Sequence, residues 1–391
     1  MHTFRPDDDF INRTMTSYSV RFGTHAESIA QAPGRVNLLG EHTDYTGGLV
    51  LPIAIDRWTL AAVGATSTRE SRFRAEDMDV EIGFDLTRPI RPSSNEDVKC
   101  ANHVLGVLEG LRQRATPEHQ LNILVSGNIP IGAGVSSSAA LEVATIRACE
   151  SFFDMHLDDL EAARIAQRAE HEFVGTPCGI MDMLISLAAE KDHALLIDCS
   201  TLARTPIPLP SPDVMGILLV DSGVQHELAS GGYADRRASC ERVQQTLQET
   251  LAKAEKDMLD HVEIDAVDRK RAEHVIEENA RVRNAIDALR EGNLPGFGDL
   301  LFQGHRSLRD LFEVSTPELD LIVNTAENLR PHGVYGARMT GGGFGGSAII
   351  IHDPGSIDII IDGVNRAFES AFGRTPPSFS VHAVAGAKRI Q

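Results

Sequence analysis

The chain has 391 residues, of which 42% are hydrophobic and 24% charged, enough apolar material for two globular cores of ~100–200 residues each. Its formal net charge of −19 is not offset by a basic block, so we expect neither nucleic acid nor an acidic membrane as a partner, because both are bound through arrays of Lys and Arg. The five cysteines are odd in number and never form a Cys-x-x-Cys pair, which is typical of reduced thiols and not of disulfides or a zinc cluster.

The N-terminal residues lack the pattern of an export signal, and no apolar run approaches the ~20 residues of a membrane-spanning helix. We therefore expect a cytoplasmic protein.

An amphipathic stretch at 10–22 predicts a first helix. Apolar runs bounded by Gly, Pro, Asp and Asn predict four strands, at 28–32, 49–55, 58–65 and 80–84. A polar loop at 88–97 precedes a helix at 101–114 and a strand at 121–125.

A glycine- and serine-rich turn at 127–138 leads into apolar helix sequence at 139–153. Next come predicted helices at 157–174 and 179–189, and strands at 194–197 and 215–220. The rest of the chain predicts charged helices at 234–256, 270–292 and 316–329, strands at 336–339 and 347–352, and a last helix and strand ending near residue 384. Runs of strands and runs of helices without a regular βαβ repeat predict an α+β fold. The Pro-rich strip 205–212 predicts a boundary between domains 1–205 and 206–391.

The first segment suited to chemistry is Gly34-Arg-Val-Asn-Leu-Leu-Gly-Glu-His-Thr-Asp-Tyr45. It places four hydrogen-bonding side chains within ten residues, those of Arg35, Glu41, His42 and Asp44, between glycines that permit sharp turns. Carboxylates accept hydrogen bonds from sugar hydroxyls, and an Arg can neutralise a phosphate. On residue types alone, a polar loop that satisfies its own backbone is an equally good interpretation.

The second segment, 127–140, reads Gly-Asn-Ile-Pro-Ile-Gly-Ala-Gly-Val-Ser-Ser-Ser-Ala-Ala and joins a strand to a helix. Glycines let backbone N–H groups approach an anion, and the helix start presents the positive end of its dipole. The alternative is an ordinary turn with a serine N-cap. No Lys follows the glycines, so this is not a Walker A loop, yet the order of strand, glycines, serines and helix favours phosphate binding.

Two further segments are ambiguous by themselves. Thr340-Gly-Gly-Gly-Phe-Gly-Gly346 allows close backbone approach, although a plain hairpin is the commoner role of such a run. Asp182 follows Ile180 and Met181, where a helix cap is commoner than a partly desolvated functional carboxylate.

Together these segments resemble the three signature motifs of the GHMP small-molecule kinases, and the first resembles the branch that phosphorylates galactose. The similarity continues through 178–182, 193–199, 231–237, 305–314 and 341–346 and so spans nearly the whole chain. The resemblance implies two domains, a ribosomal-protein-S5-like N-terminal one and a ferredoxin-like C-terminal one, with the active site between them. It also implies transfer of phosphate from ATP to the anomeric hydroxyl of galactose, with Mg²⁺ as cofactor.

The same resemblance implies a role for each site residue. Asp182 would act as catalytic base at the sugar C1 hydroxyl, with Arg35 beside it. The remaining sugar contacts would come from Glu41, His42, Asp44, Gly179 and Tyr233. ATP would be held by Gly132, Ala133, Gly134, Val135, Ser136, Ser137 and Ser138, together with Gly342 and Gly343. Ser138 and Glu170 would lie near the metal. We expect galactose and ATP as partners and a monomer as the oligomeric state.

Three residues depart from the family pattern. Met183 stands where Gln is common, and Cys100 and His103 stand where relatives carry aromatic side chains near the adenine. The loss of stacking on the adenine is expected to weaken ATP binding or to relax base preference.

Two alternative functions stay open. One is a kinase of N-acetylgalactosamine or arabinose, and the other is a galactose sensor without turnover. The intact serine run of the phosphate loop and Asp182 both argue against the sensor.

Overall fold

The computed structural model describes residues 6–115, 117, 119–224 and 229–390. Up to residue 208, the helices are α1 (Asp8–Phe22), α2 (Ala101–Arg112), α3 (Ser137–Cys149), α4 (Asp159–Ala169) and α5 (Met181–Ala188). The strands of this part are β1 (Ser28–Asn37), β2 (Leu49–Val50), β3 (Pro52–Thr66), β4 (Ser71–Ala75), β5 (Val80–Phe84), β6 (Gln120–Gly127), β7 (His193–Asp198) and β8 (Ala203–Pro208).

The rest of the chain adds helices α6 (Ala229–Leu247), α7 (Ala266–Arg290), α8 (Leu294–Ser307), α9 (Pro317–Asn328) and α10 (Ile357–Phe372). Its strands are β9 (Gly216–Asp221), β10 (Val334–Thr340), β11 (Ser347–His352), β12 (Ser378–Val381) and β13 (Lys388–Arg389). A turn of π-helix extends α4 at Glu170–Val174 and α8 at Leu308–Phe312. In the described part of the chain, no helix combines the length and the apolar character needed to cross a membrane.

The strands form three sheets. The first has the order β13-β1-β3-β6-β4-β5, the second β10-β11-β9-β12, and the third β2-β7-β8. Neighbouring strands run antiparallel, apart from the parallel pair β4 and β6. Helix α3 packs on β1 and β3, while α8 and α9 pack on β10. A large apolar cluster lies under the first sheet, and a second one surrounds the second sheet.

The sequence determines several helix ends through local hydrogen bonds. Asp158 and Glu161 form a capping box at the start of α4, which satisfies two backbone N–H groups. Asn293 caps α8 by accepting from the N–H of Gly296. Gly373 ends α10 in the left-handed conformation, with φ 69°, where glycine carries no Cβ penalty.

The predicted α+β fold is confirmed, and so are most predicted helices and strands. The prediction of separate strands at 49–55 and 58–65 is wrong, because Pro52–Thr66 is one continuous strand. Asp56 and Arg57 resemble a turn in the sequence, but they stay extended: Asp56 accepts from the backbone N–H of His382, and the Arg57 guanidinium lies 4.7 Å from the Phe379 ring centroid.

Four of the named helices and strands were not predicted: β4, β8, α8 and β13. Strand β4 has only five residues, and its intervening Arg side chains obscure the buried Phe73. Helix α8 has a recognisable start signal, an Asn cap followed by Pro295 in the first turn. The domain division at residue 205 stays a prediction. Strand β8, at 203–208, pairs with β7, and the C-terminal β13 pairs with β1.

Candidate active site

Three cavities adjoin one another and share lining residues. The first, of about 190 Å³, contains the predicted sugar residues and is called the sugar cavity. The second, of about 470 Å³, lies between the two glycine loops and is called the phosphate cleft. The third, of about 190 Å³, is lined by Cys100 and His103 and is called the base pocket. Ser138 lines all three, so it marks their junction.

Asp182 and Arg35 are held together at the boundary between the sugar cavity and the phosphate cleft. Arg35 Nε lies 2.8 Å from Asp182 Oδ1 and Nη2 lies 2.7 Å from Oδ2, a bidentate pair. Its Nη1 donates to the carbonyl of Gly134 at 2.7 Å, and Ser136 Oγ donates to the same Asp182 carboxylate. Asp182 lies in the first turn of α5 but does not cap that helix. Its carboxylate is therefore fixed by side chains from two other segments.

Asp44 lies beside Gly179 on one wall of the sugar cavity. The contact is so close that a Cβ at residue 179 would meet Asp44 Oδ2 at 1.6 Å, so only glycine leaves this carboxylate its place. Burial, with a smaller effect from Asp182, raises the pKa of Asp44 to about 6. Above that pH the carboxylate can accept hydrogen bonds from a polyhydroxylated ligand.

His42 faces the same cavity, but its ring nitrogens already have partners. Nε2 lies 3.1 Å from the carbonyl of Gly342, and Nδ1 lies 2.9 Å from the hydroxyl of Tyr45. Burial lowers the pKa of His42 to about 4, so the ring is neutral, donates from Nε2 and accepts at Nδ1. The ring of Tyr233 lies 5.4 Å away, centroid to centroid. His42 thus presents a ring surface to the cavity.

Glu41 is held by a buried ionic network that the sequence did not predict. Its Oε1 accepts from the N–H of Gly341 at 3.3 Å, and its Oε2 pairs with Arg338, a fully buried side chain on β10. Arg338 Nη1 also lies 2.8 Å from Glu278 Oε1 on α7, and the same oxygen accepts from the N–H of Gly40 at 2.9 Å. Burial raises the pKa of Glu41 to about 7, against the opposing effect of Arg338. An Arg inside an otherwise apolar strand was the sequence signal for this network.

The predicted phosphate loop lines the phosphate cleft with Gly132, Gly134, Val135, Ser136, Ser137 and Ser138. Ala133 is the exception: its side chain is buried, and its carbonyl accepts from Ser347 Oγ at 2.7 Å. Ser136 adopts φ 58°, a conformation uncommon outside glycine. This bend lets α3 begin at Ser137, so the positive end of the helix dipole faces the cleft.

The glycine loop at 341–346 forms the opposite wall of the cleft. Both predicted residues, Gly342 and Gly343, line it, and Gly342 also lines the sugar cavity. Gly343 has φ 83°, and a Cβ there would lie 2.5 Å from the carbonyl of Val314. The N–H of Phe344 donates to that carbonyl at 2.6 Å. The loop is therefore pressed against the backbone at residue 314, which only glycine permits.

The three departures from the family pattern lie in different surroundings. Cys100 and His103 both line the base pocket. His103 Nδ1 lies 2.8 Å from Glu142 Oε1 and 3.6 Å from Glu170 Oε1. Met183 is buried in the first apolar cluster, and its neighbour Met181 lines the sugar cavity.

The residues predicted to lie near the metal suit magnesium. The Ser138 hydroxyl and the Glu170 carboxylate both line the sugar cavity next to the phosphate cleft. Mg²⁺ prefers such oxygen ligands and usually completes its shell with water and substrate phosphates. The donor set therefore fits a magnesium ion that enters with a nucleotide.

Comparisons with known proteins agree with this geometry. The galactokinase galactose-binding signature matches residues 16–65, the GHMP kinases N-terminal domain matches 102–190, and the GHMP kinases C-terminal domain matches 285–370. The galactokinase of Thermotoga maritima is 40% identical over 344 residues, 88% of this chain and 94% of the relative. The galactokinase of Chloroflexus aggregans is 40% identical over 363 residues, 90% of this chain and 91% of the relative.

Solved structures extend the similarity to three dimensions. Lactococcus lactis galactokinase complexed with galactose superimposes with a TM-score of 0.89 at 28% identity, covering 97% of this chain and 99% of that one. The mevalonate kinase of Methanococcus jannaschii shares the fold, with a TM-score of 0.66 at 22% identity over 91% of this chain and 98% of that one. The predicted GHMP kinase fold is thereby confirmed. The chain belongs to the galactokinases of the GHMP kinase family.

Proposed function

We propose that this galactokinase transfers the γ-phosphate of ATP to the anomeric hydroxyl of D-galactose, with Asp182 as the base and Arg35 as its positioning partner. The observation that carries the assignment is the bidentate pair between these two side chains, because both line the sugar cavity and Arg35 also lines the phosphate cleft. A carboxylate at that boundary can meet both the attacking hydroxyl and the phosphate that it attacks.

The chemistry asks mainly for position and charge neutralisation. Phosphoryl transfer proceeds in line through a transition state whose charge is spread over the phosphate oxygens. Asp182 would accept the proton of the sugar hydroxyl as it attacks, and a base so placed typically contributes ~10²–10⁴-fold. Arg35 holds the carboxylate oxygens in one orientation and brings its positive charge to the edge of the cleft.

The sugar would be held by the walls of its cavity. Asp44 and Glu41 supply carboxylate oxygens, while the rings of His42 and Tyr233 enclose the ligand. Helix α6, which carries Tyr233, is fixed to the cavity because Arg237 Nη1 donates to the carbonyl of Pro177 at 2.7 Å. Gly179 would contribute to sugar binding through its lack of a side chain, because a Cβ there would displace Asp44.

ATP would place its phosphates between the two glycine loops, near the start of α3. Ser138 and Glu170 would hold Mg²⁺, which when bound neutralises phosphate charge and fixes phosphate geometry.

We also expect a monomer in the cytoplasm. Light scattering coupled to gel filtration tests the oligomeric state.

The test measures ADP release with magnesium-ATP and a panel of galactose, N-acetylgalactosamine, arabinose, glucose and mevalonate. We expect turnover with galactose and a loss of at least ~10²-fold in Asp182→Asn. Asp213→Asn, a change of an exposed carboxyl that lines none of the three cavities, is the matched control. Near-native kcat in Asp182→Asn would refute the assigned base. A higher kcat/KM with another sugar would refute the substrate, and galactose binding without ADP release would favour a sensor.

A further inference from the structure

A cluster of three ligand-type side chains lies behind the junction of the cavities. His103 on α2, Glu142 on α3 and Glu170 at the π-helical end of α4 each offer one ligand atom, and these atoms all lie within 4.8 Å of one another. His103 Nδ1 makes the closest contacts, at 2.8 Å to Glu142 Oε1 and 3.6 Å to Glu170 Oε1. Three separate helices thus converge on one point, so the cluster does not arise from neighbours on a single helix.

Glu142 gives the second observation. Its side chain is fully buried, and among the described residues its Oε2 has no hydrogen-bond partner. Buried polar atoms are almost always paired, so this carboxylate oxygen is available to a ligand beside the two other ligand-type side chains. The opposite oxygen of the same carboxylate contacts His103, so this contact leaves the second oxygen of Glu142 for a further ligand.

The surrounding charge is negative. The charged side chains that act most strongly on Glu142 are His103, Glu170 and Asp182, and of these only His103 can be positive. Asp182 is already paired with Arg35. Apart from His103, the charged neighbours that act on Glu142 are therefore acidic, which favours a cation at this point.

We propose that His103, Glu142 and Glu170 form a divalent-metal site that fills without nucleotide and prefers Mn²⁺ to Mg²⁺. Imidazole nitrogen together with carboxylate oxygen favours transition metals, whereas Mg²⁺ prefers oxygen ligands alone. The proposal rests on the proposed function through Glu170, which also belongs to the magnesium position. It goes beyond that function because it adds a nitrogen ligand and a buried carboxylate and does not require ATP.

The experiment titrates metal-free protein with Mn²⁺ alone, by calorimetry and by electron paramagnetic resonance. We expect one Mn²⁺ per chain, bound at least tenfold more tightly than Mg²⁺, with nitrogen hyperfine coupling in its spectrum. His103→Asn keeps a polar group next to Glu142 but removes the imidazole. It should abolish the nitrogen coupling and weaken binding by at least the ~10–100-fold typical of a lost supporting contact.

Two further variants make the result specific. Glu142→Gln should weaken Mn²⁺ binding as His103→Asn does. His193→Asn is the matched control, because His193 lies outside the cluster and its Nδ1 contacts the carbonyl of Lys191. Absence of Mn²⁺ binding without nucleotide, or equal Mn²⁺ affinity in His103→Asn and the unchanged protein, would overturn the proposal. Failure of galactose turnover with magnesium-ATP would instead contradict the proposed function, because that assay adds no Mn²⁺.

Discussion

Replacing Gly179 by Ala tests whether Asp44 holds the sugar. A Cβ at this residue would lie 1.6 Å from Asp44 Oδ2, whereas real Cβ contacts are essentially never shorter than 3.0 Å. The carboxylate must therefore retreat by roughly 1.4 Å, the difference between these two distances. A displacement of that size breaks a hydrogen bond to a bound ligand. Hydrogen bonds to charged groups contribute ~1.5–3 kcal/mol, so we expect the KM for galactose to rise by roughly 10–150-fold.

The assay is steady-state ADP release with galactose and ATP varied separately, together with calorimetric galactose binding. The KM for ATP should stay near that of the unchanged protein, which also shows that the variant is folded. Gly231→Ala is the control, because a Cβ at that residue of α6 would meet nothing within 4 Å. An unchanged KM for galactose in Gly179→Ala would refute the role of Asp44, and a parallel rise of both KM values would refute the separation of the two sites.

Tyr233→Ala should raise the KM for galactose more than the KM for ATP, because the ring lines the sugar cavity and not the phosphate cleft. The pKa of Asp44, raised to about 6 by burial and then by Asp182, implies that its carboxyl is protonated and a poorer acceptor below that pH. In a pH series, kcat/KM for galactose should therefore fall about tenfold per unit below that value. Ile131→Ala should raise the KM for ATP roughly tenfold, because Ile131 and Met78 are exposed residues lining the base pocket, and about two lost methylene contacts cost ~0.8 kcal/mol each.

Each of these three predictions has a result that contradicts it. Equal changes of both KM values in Tyr233→Ala would remove that residue from the sugar wall. If the pH profile keeps its acid limb in Asp44→Asn, the titrating group is another one. Ile131→Ala is compared with Val214→Ala, a change of an exposed residue outside the base pocket, and equal ATP kinetics in the two variants would show that the base does not contact Ile131.

The site could be anticipated from the sequence wherever its parts lie within one short segment. The residues of 34–45 and 132–138 are neighbours in the chain, and their order of glycines, acids and serines reflects the turns that they form. The close contact between Asp44 and Gly179 joins distant segments, so no local pattern shows why glycine is needed there. The same holds for Arg338, whose two carboxylate partners come from the segment 34–45 and from α7.

The fold shows the same limit. Periodic apolar helices such as α4 and α7 were predicted because their pattern is local. Strand β3 passes through Asp56 and Arg57 without turning because the C-terminal segment packs against both residues. The contact between His103 and Glu142 could not be predicted from the sequence either. The sequence shows only that residue 103 is not the aromatic residue carried by relatives. The packing of α2 on α3 is what brings the imidazole to Glu142.

The pairing of β13 with β1 has a consequence for how the chain folds as it is synthesised. Lys388 and Arg389 pair with Gln31 and Ala30, and the N–H of Val384 donates to the carbonyl of Ala54 at 3.0 Å. These contacts join β1 and β3 to a segment more than 300 residues later in the chain, so β1 keeps an open edge until that segment has been synthesised. Unpaired strand edges recruit other chains. A truncation before β13 would therefore leave a nascent-like, aggregation-prone edge even though every proposed catalytic residue was present.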